Sequence, residues 1–199
     1  MMKTDKQTES TLRPGGNPQG KGLTLVLERL AGLAPAGVRA KSIDAILSDY
    51  WQSTLVLSAD FSFRVVPDKR YYLYHGDRWQ LSLIAPEEWG ARCPGVFVAQ
   101  CELQRDATWT VSFADVLHKE QGAREALQRF LEGFEHRVSS ADTLVDALPE
   151  YEASLPYQQR MMATALTTSL RHSARLAGCA TLQPRLVLND WVALPQSLD

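Results

Sequence analysis

From residue 23 onward the chain switches between two hydrophobic rhythms. Leu23, Val26, Leu27 and Leu30 recur at helical spacing, as do Ile43, Ile46, Leu47 and Tyr50. That spacing predicts helices over about 23–33 and 42–53, separated by the breaker GLAPAG. The run TLVLSA (54–59) fits either more helix or the start of a strand, because short apolar runs have no decisive period. Alternation then takes over. Phe61, Phe63 and Val65 alternate with Ser62, Arg64 and Val66, the period of a half-buried strand. In YYLYHGDRWQLSLIAPEEWG (71–90), His75-Gly76-Asp77-Arg78 suits a two-residue type II′ hairpin with glycine at its first central position. Counting outward sets Tyr74 opposite Trp79, Tyr72 opposite Leu81 and Arg70 opposite Leu83. Tyr72, Tyr74, Trp79, Leu81 and Leu83 then share a core face, and Tyr71, Leu73, His75, Arg78, Gln80 and Ser82 a wetter one.

Two further strands repeat the alternation: Phe97, Ala99, Cys101 and Leu103, then Trp109, Val111 and Phe113 beyond an Arg105-Asp106 turn. Helical spacing returns over 114–138 with Ala123, Leu127, Phe130, Leu131, Phe134 and Val138. SSADTLVDALPEY reads as a short helix ended by Pro149. The best-defined helix is SLPYQQRMMATALTTSLRHSARLAG, with Pro156 in its first turn, Met162, Leu166, Leu170 and Ala177 along one side, and Gly178 at C′. The predicted class is α+β: an antiparallel meander of four to five strands over about 55–113, its apolar face covered by N- and C-terminal helices. Residues 1–22 read as a flexible tail and 23–199 as one domain, with the apolar segment after Gln183 docking onto it.

Composition narrows the function classes. Apolar residues make up 45% and charged residues 22% of 199, which suits a globular domain. With 21 basic against 23 acidic residues the net charge is −2, so neither nucleic acid nor a membrane is an expected partner. The N-terminal stretch has no apolar signal core, and Cys93, Cys101 and Cys179 form no C-x-x-C pair; a cytoplasmic location is expected. His118, His136 and His172 have no helical partner at four residues, so no metal is expected. GGNPQGKG approaches the phosphate-cradling pattern, but Gly22 stands where Ser or Thr would hold magnesium, and no apolar strand precedes it. No cofactor is expected.

The stretch YYLY (71–74), SLIAPEEWG (82–90), Cys93-Pro94, Phe97 and LQRDATW (103–109) resembles an uncharacterised family, a domain of unknown function found in bacteria and eukaryotes. The resemblance implies a shared fold and brings no activity, cofactor or catalytic residue.

The candidate sites come from the residues themselves. Glu87-Glu88 is a carboxylate pair, the type that does acid–base work. Neighbours in a helical turn point about 100° apart, so a one-turn lid folding Trp89 over the sheet is the plainer reading; a binding edge of Trp89 and Glu88 is the functional one. Asp106 fits a turn aspartate bonded to nearby backbone. Arg160, Arg171 and Arg175 fall within about 60° on a helical wheel, Arg160 and Arg171 roughly 16 Å apart along the axis. Such a stripe is either a solvated, dipole-matched face or a contact for an extended acidic partner. Two functions follow as expectations. The first is a non-catalytic protein- or peptide-interaction module, using the hairpin's wet face with Trp89 or the arginine stripe. The alternative is a small-molecule binder or enzyme with a pocket between sheet and helices, lined by Tyr72, Glu88, Gln104 and Asp106.

Overall fold

The computed structural model describes residues 35–148 and 155–184. The tail over 1–22, the helix over 23–33, the stop at Pro149 and nearly all of the segment after Gln183 lie outside them.

Helix α1 (Ile43–Leu57) starts where the Ser42 hydroxyl accepts the Ala45 amide at 3.3 Å, an N-cap. It runs straight through TLVL, which settles residues 54–57 as helix. Leu55, Val56 and Leu57 are all buried, so the last turn is enclosed on every side and has no polar face to show a period. The next segment departs from expectation: residues 61–66 form no strand. Asp60 makes a single parallel bridge to Gln80, and the chain then leaves the sheet. The aromatic alternation there serves ring packing instead. Phe61 lies 5.5 Å from Phe63, and Phe63 stacks on Tyr71 at 5.7 Å.

Strands β1 (Arg70–His75), β2 (Trp79–Ser82), β3 (Val96–Leu103) and β4 (Trp109–Phe113) form one antiparallel sheet in the order β2-β1-β3-β4. The class is α+β, as predicted. The order is not strictly sequential, because β3 pairs with β1 rather than with β2.

The hairpin register differs from the two-residue expectation by one. His75 pairs with Trp79 and Leu73 with Leu81, which leaves Gly76, Asp77 and Arg78 in a three-residue loop. Arg78 is drawn out of the strand to Asp60, 2.8 Å away. A one-residue change exchanges the faces of β1. Tyr71 and Leu73 therefore join Leu81 in the core between sheet and helices, while Tyr72 and Tyr74 turn to the opposite, outer face. Leu83, expected inside, is exposed.

A second parity change occurs between β1 and β3. Leu73 pairs with Ala99 but Tyr74 with Phe97, so Val98 is the extra residue of a bulge. Val98 and Ala99 are both in the core, and Phe97 comes out beside Tyr74 instead of lining the inner face.

Past β4, a 3-10 turn (Asp115–Lys119) precedes helix α2 (Gln121–Ser139), whose Ala123, Leu127, Leu131, Phe134 and Val138 are buried as the spacing predicts. Residues 141–148 form turns rather than the expected short helix. Helix α3 (Tyr157–Leu176) follows, with Pro156 at its N-cap and Gly178 at φ +70° just past its end. Met162, Leu166 and Leu170 line its buried side; Ala177 is exposed, and Ala174 completes the stripe one turn after Leu170.

Both rims of the sheet are engaged. On β4, the Trp109 amide donates to Ser53 Oγ at 2.9 Å and the Val111 amide to Gln52 Oε1 at 3.1 Å, both on α1. On β2, Asp60 donates to the Trp79 carbonyl and accepts from the Leu81 amide.

The exchange of faces has a direct test. The Tyr71 hydroxyl accepts from the Val66 amide at 2.7 Å and donates to the Val66 carbonyl at 3.2 Å. Tyr71→Phe leaves both groups of Val66 without this partner and is expected to cost about 1–2 kcal/mol. Tyr72→Phe, on the outer face, is expected to stay within about 0.5 kcal/mol. Urea unfolding of the two variants measures the difference; equal losses would contradict the face assignment.

Candidate functional site

The outer face gathers the chain's most distinctive residues. Tyr74 is enclosed by Trp89, edge-on at 6.0 Å, and by Phe97 at 5.8 Å, with Tyr72 6.2 Å from Phe97. The lid is a 3-10 turn over Pro86–Glu88, in which the Glu88 carboxylate accepts the Ala85 amide at 2.9 Å. Proline at the start and a carboxylate at the first amides suit such a turn. Glu88 thus holds the lid, and Trp89 folds onto the sheet. Tyr74 is 0% exposed although it faces away from the main core. Burial pushes its hydroxyl up to about 12, with the Trp89 side chain opposing. It stays protonated at neutral pH and donates to the Ile84 carbonyl at 2.9 Å. Beside the lid, Leu83 and Ile84 are 42% and 39% exposed. These two apolar side chains lead into the lid, and the Tyr74 hydroxyl ties the Ile84 backbone to the aromatic group in which Trp89, Tyr72 and Phe97 are half-buried.

Gln104 and Asp106 lie elsewhere, at the β3–β4 turn. Tyr72 is level with Gln100, four residues before Gln104, or about 13 Å along the strand. Tyr72 and Glu88 therefore do not converge with Gln104 and Asp106 on one pocket. Asp106 Oδ1 accepts from the Thr108 amide at 3.1 Å and the Thr108 hydroxyl at 2.6 Å, the expected turn pattern.

Its other oxygen has a partner that the sequence did not disclose. Lys41 Nζ sits 2.7 Å from Asp106 Oδ2 and 2.7 Å from Asp49 Oδ2. For Lys41, burial alone lowers the pKa, but the hydrogen bonds to Asp106 and Asp49 outweigh it and leave the amine raised. For Asp106, burial pushes upward and the bonds from Lys41 and Thr108 more than reverse it, so its carboxyl is held below the usual range. Asp49 is raised: burial dominates, and the bond from Lys41 offsets it only in part. With the amine held charged, this cluster ties the chain before α1 to the β3–β4 turn and is poorly suited to base or nucleophile chemistry.

The arginine stripe divides. Arg171 donates to the carbonyls of Leu148 and Val145, at 2.9 and 3.1 Å, so it supports the turns over 141–148. Arg160 is partly buried and Arg175 exposed near the end of α3. Cys101 is enclosed and its thiol is pushed far up by burial, which removes it as a nucleophile. Among the described residues, no three His, Cys, Asp or Glu side chains stand close enough to hold a metal ion, and no helix is long and apolar enough to cross a membrane.

Residues 38–133 match the model of a family described as a protein of unknown function (DUF2452). The resemblance seen over 71–109 thus extends back through α1 and forward through most of α2. No solved structure matches the chain.

Proposed function

We propose, from a family match that brings no chemistry with it, that this chain is a non-catalytic cytoplasmic interaction module, binding a protein or peptide on the outer face of its sheet. The observation that carries this reading is the exposed apolar pair Leu83 and Ile84 leading into the lid, its backbone held by the hydroxyl of Tyr74, which packs against Trp89 and Phe97. Rigid aromatic anchors bordered by aliphatic side chains are what association surfaces use, since they bury area at little entropic cost. The lid is already folded, so docking there needs little reordering. Three unpaired cysteines support a reducing compartment. The alternative of a small-molecule site lined by Tyr72, Glu88, Gln104 and Asp106 has less support, because these residues occupy two regions of the sheet.

Affinity capture from cell extract, followed by pairwise binding of the retained protein, tests the proposal. The Leu83→Asp/Ile84→Asp variant is expected to keep its unfolding temperature and lose the partner by at least about tenfold in affinity. Arg160→Ala/Arg175→Ala is expected to retain it. Equal binding by wild type and the aspartate variant would remove the outer face from consideration.

A further inference from the structure

The 3-10 turn before α2 and the first half of that helix enclose an open groove of about 860 Å³, lined by His118, Lys119, Gln121, Arg124, Glu125, Gln128 and Arg129. Its volume lies within the range of ligand-holding clefts. Lys119, Arg124 and Arg129 all line it, and among the described residues none of the three has a carboxylate partner. Arg124 donates to the His118 carbonyl at 3.0 Å, and Arg129 to the Glu125 carbonyl at 3.3 Å. These bonds are to neutral oxygens, so neither guanidinium forms an ion pair among the described residues, and the groove keeps more positive than negative side chains, Lys119, Arg124 and Arg129 against Glu125. The Glu125 carboxylate accepts instead from the Gln121 amide at 2.8 Å. Lys41, Arg78 and Arg105, by contrast, each face an aspartate.

We infer that this groove is a second contact surface and that its occupant is an acidic peptide segment of a partner protein. Charge complementarity selects an anion. The layout selects an extended one: Arg124 and Arg129 are about 7.5 Å apart along the axis and about 140° apart around it, with Gln128 between them, so the two guanidinium groups diverge. Cations that diverge across an open groove with an amide side chain between them suit successive carboxylates on a peptide better than one compact anion, which needs convergent donors. The groove is exposed, so the attraction is screened by salt and acts largely on encounter. The choice of a protein partner rests on the interaction-module reading, but the groove is separate from the Leu83–Ile84 patch, and each fails or survives by its own variants.

Fluorescence anisotropy with a labelled octa-glutamate peptide, against an octa-glutamine control, provides the test on the full chain. Wild type is expected to bind the acidic peptide and ignore the neutral one. Arg124→Gln/Arg129→Gln is expected to weaken binding by roughly tenfold or more. Arg137→Gln, an exposed arginine further along α2 and outside the groove, is expected to change it less than about twofold. Unchanged binding in the double variant would overturn the inference, as would equal loss in Arg137→Gln. Full displacement by about 1 mM inorganic phosphate at constant ionic strength would overturn it too, by showing that a compact anion fills the groove.

Discussion

Replacing Gly95 with alanine is expected to lower stability by roughly 3 kcal/mol or more, among the larger effects of a single substitution. Gly95 has φ +150°, a conformation that side-chain-bearing residues rarely adopt. A β-carbon there meets the His75 carbonyl oxygen at 2.2 Å and the Gly76 amide nitrogen at 2.6 Å. All of these are backbone atoms of the hairpin, so no side chain can rotate away. The opposing contact is just as close, since a β-carbon on Gly76 meets the Pro94 carbonyl oxygen at 2.4 Å. Relief requires the 94–95 loop and the hairpin to separate, at the start of β3 where Val96 pairs with His75. The cost combines backbone strain of about 1–3 kcal/mol with the loss of that packing. Gly90→Ala is the control, because nothing lies within 4 Å of its β-carbon position. Thermal unfolding should show a large fall for Gly95→Ala and little change for Gly90→Ala. Similar midpoints for both would mean that the two loops do not abut as described.

Removing the amine of Lys41 is expected to have the next largest effect. Lys41→Met leaves Asp49 and Asp106 facing the same space with no cation between them. Stripping a fully buried pair of one partner costs about 3–5 kcal/mol. Here the side chains keep 25%, 26% and 15% exposure, so about 2 kcal/mol is expected. The pH dependence separates this account from a simple packing loss. In the native protein Asp106 is held below its ordinary value of 3.8, so its contribution is present above that value and lost as pH falls through the lower folded one. Asp49 is raised, so its contribution has the opposite sign: it favours folding below 3.8 and is lost as pH rises through the raised value. Lys41 is raised above 10.5, so its share persists through neutrality and is lost only in strong alkali. In Lys41→Met both carboxyls resist ionisation. The gap to wild type should therefore narrow between about pH 7 and about pH 4 as they protonate. Urea titrations at the two pH values decide it, and a gap that stays constant would reduce Lys41 to a packing residue.

The elements were largely legible in the chain and the parity of the strands was not. Ile43, Ile46, Leu47 and Tyr50 declare α1, and Leu127, Leu131, Phe134 and Val138 declare α2, because a helix repeats one rule over several turns. Strand faces depend on integer counts. Gly76-Asp77 and Gly76-Asp77-Arg78 are both acceptable hairpin loops, and one residue decides whether Leu73 or Tyr74 meets the core. Tyrosine fits either face, since its ring can pack inside while its hydroxyl finds a carbonyl, as Tyr71 does at Val66 and Tyr74 at Ile84. The bulge at Val98 has no composition signal of its own. The lid that folds Trp89 over the sheet was readable in Pro86-Glu87-Glu88-Trp89, where chemistry and spacing agree, but not that Tyr74 lies beneath it. Lys41 was not, because its partner Asp106 is 65 residues away and an isolated lysine before a helix looks like any solvated one.

The engaged rims of the sheet bear on how this molecule behaves in a crowded cell. Exposed ladder donors and acceptors invite another chain to zip on, and repetition of that step builds fibres. Here Ser53 and Gln52 stopper one side, and Asp60 blocks the other. The half-buried rings of Tyr72, Trp89 and Phe97 can thus stand on the outer face without the sheet seeding open-ended polymers, because its row of strands is closed at both ends.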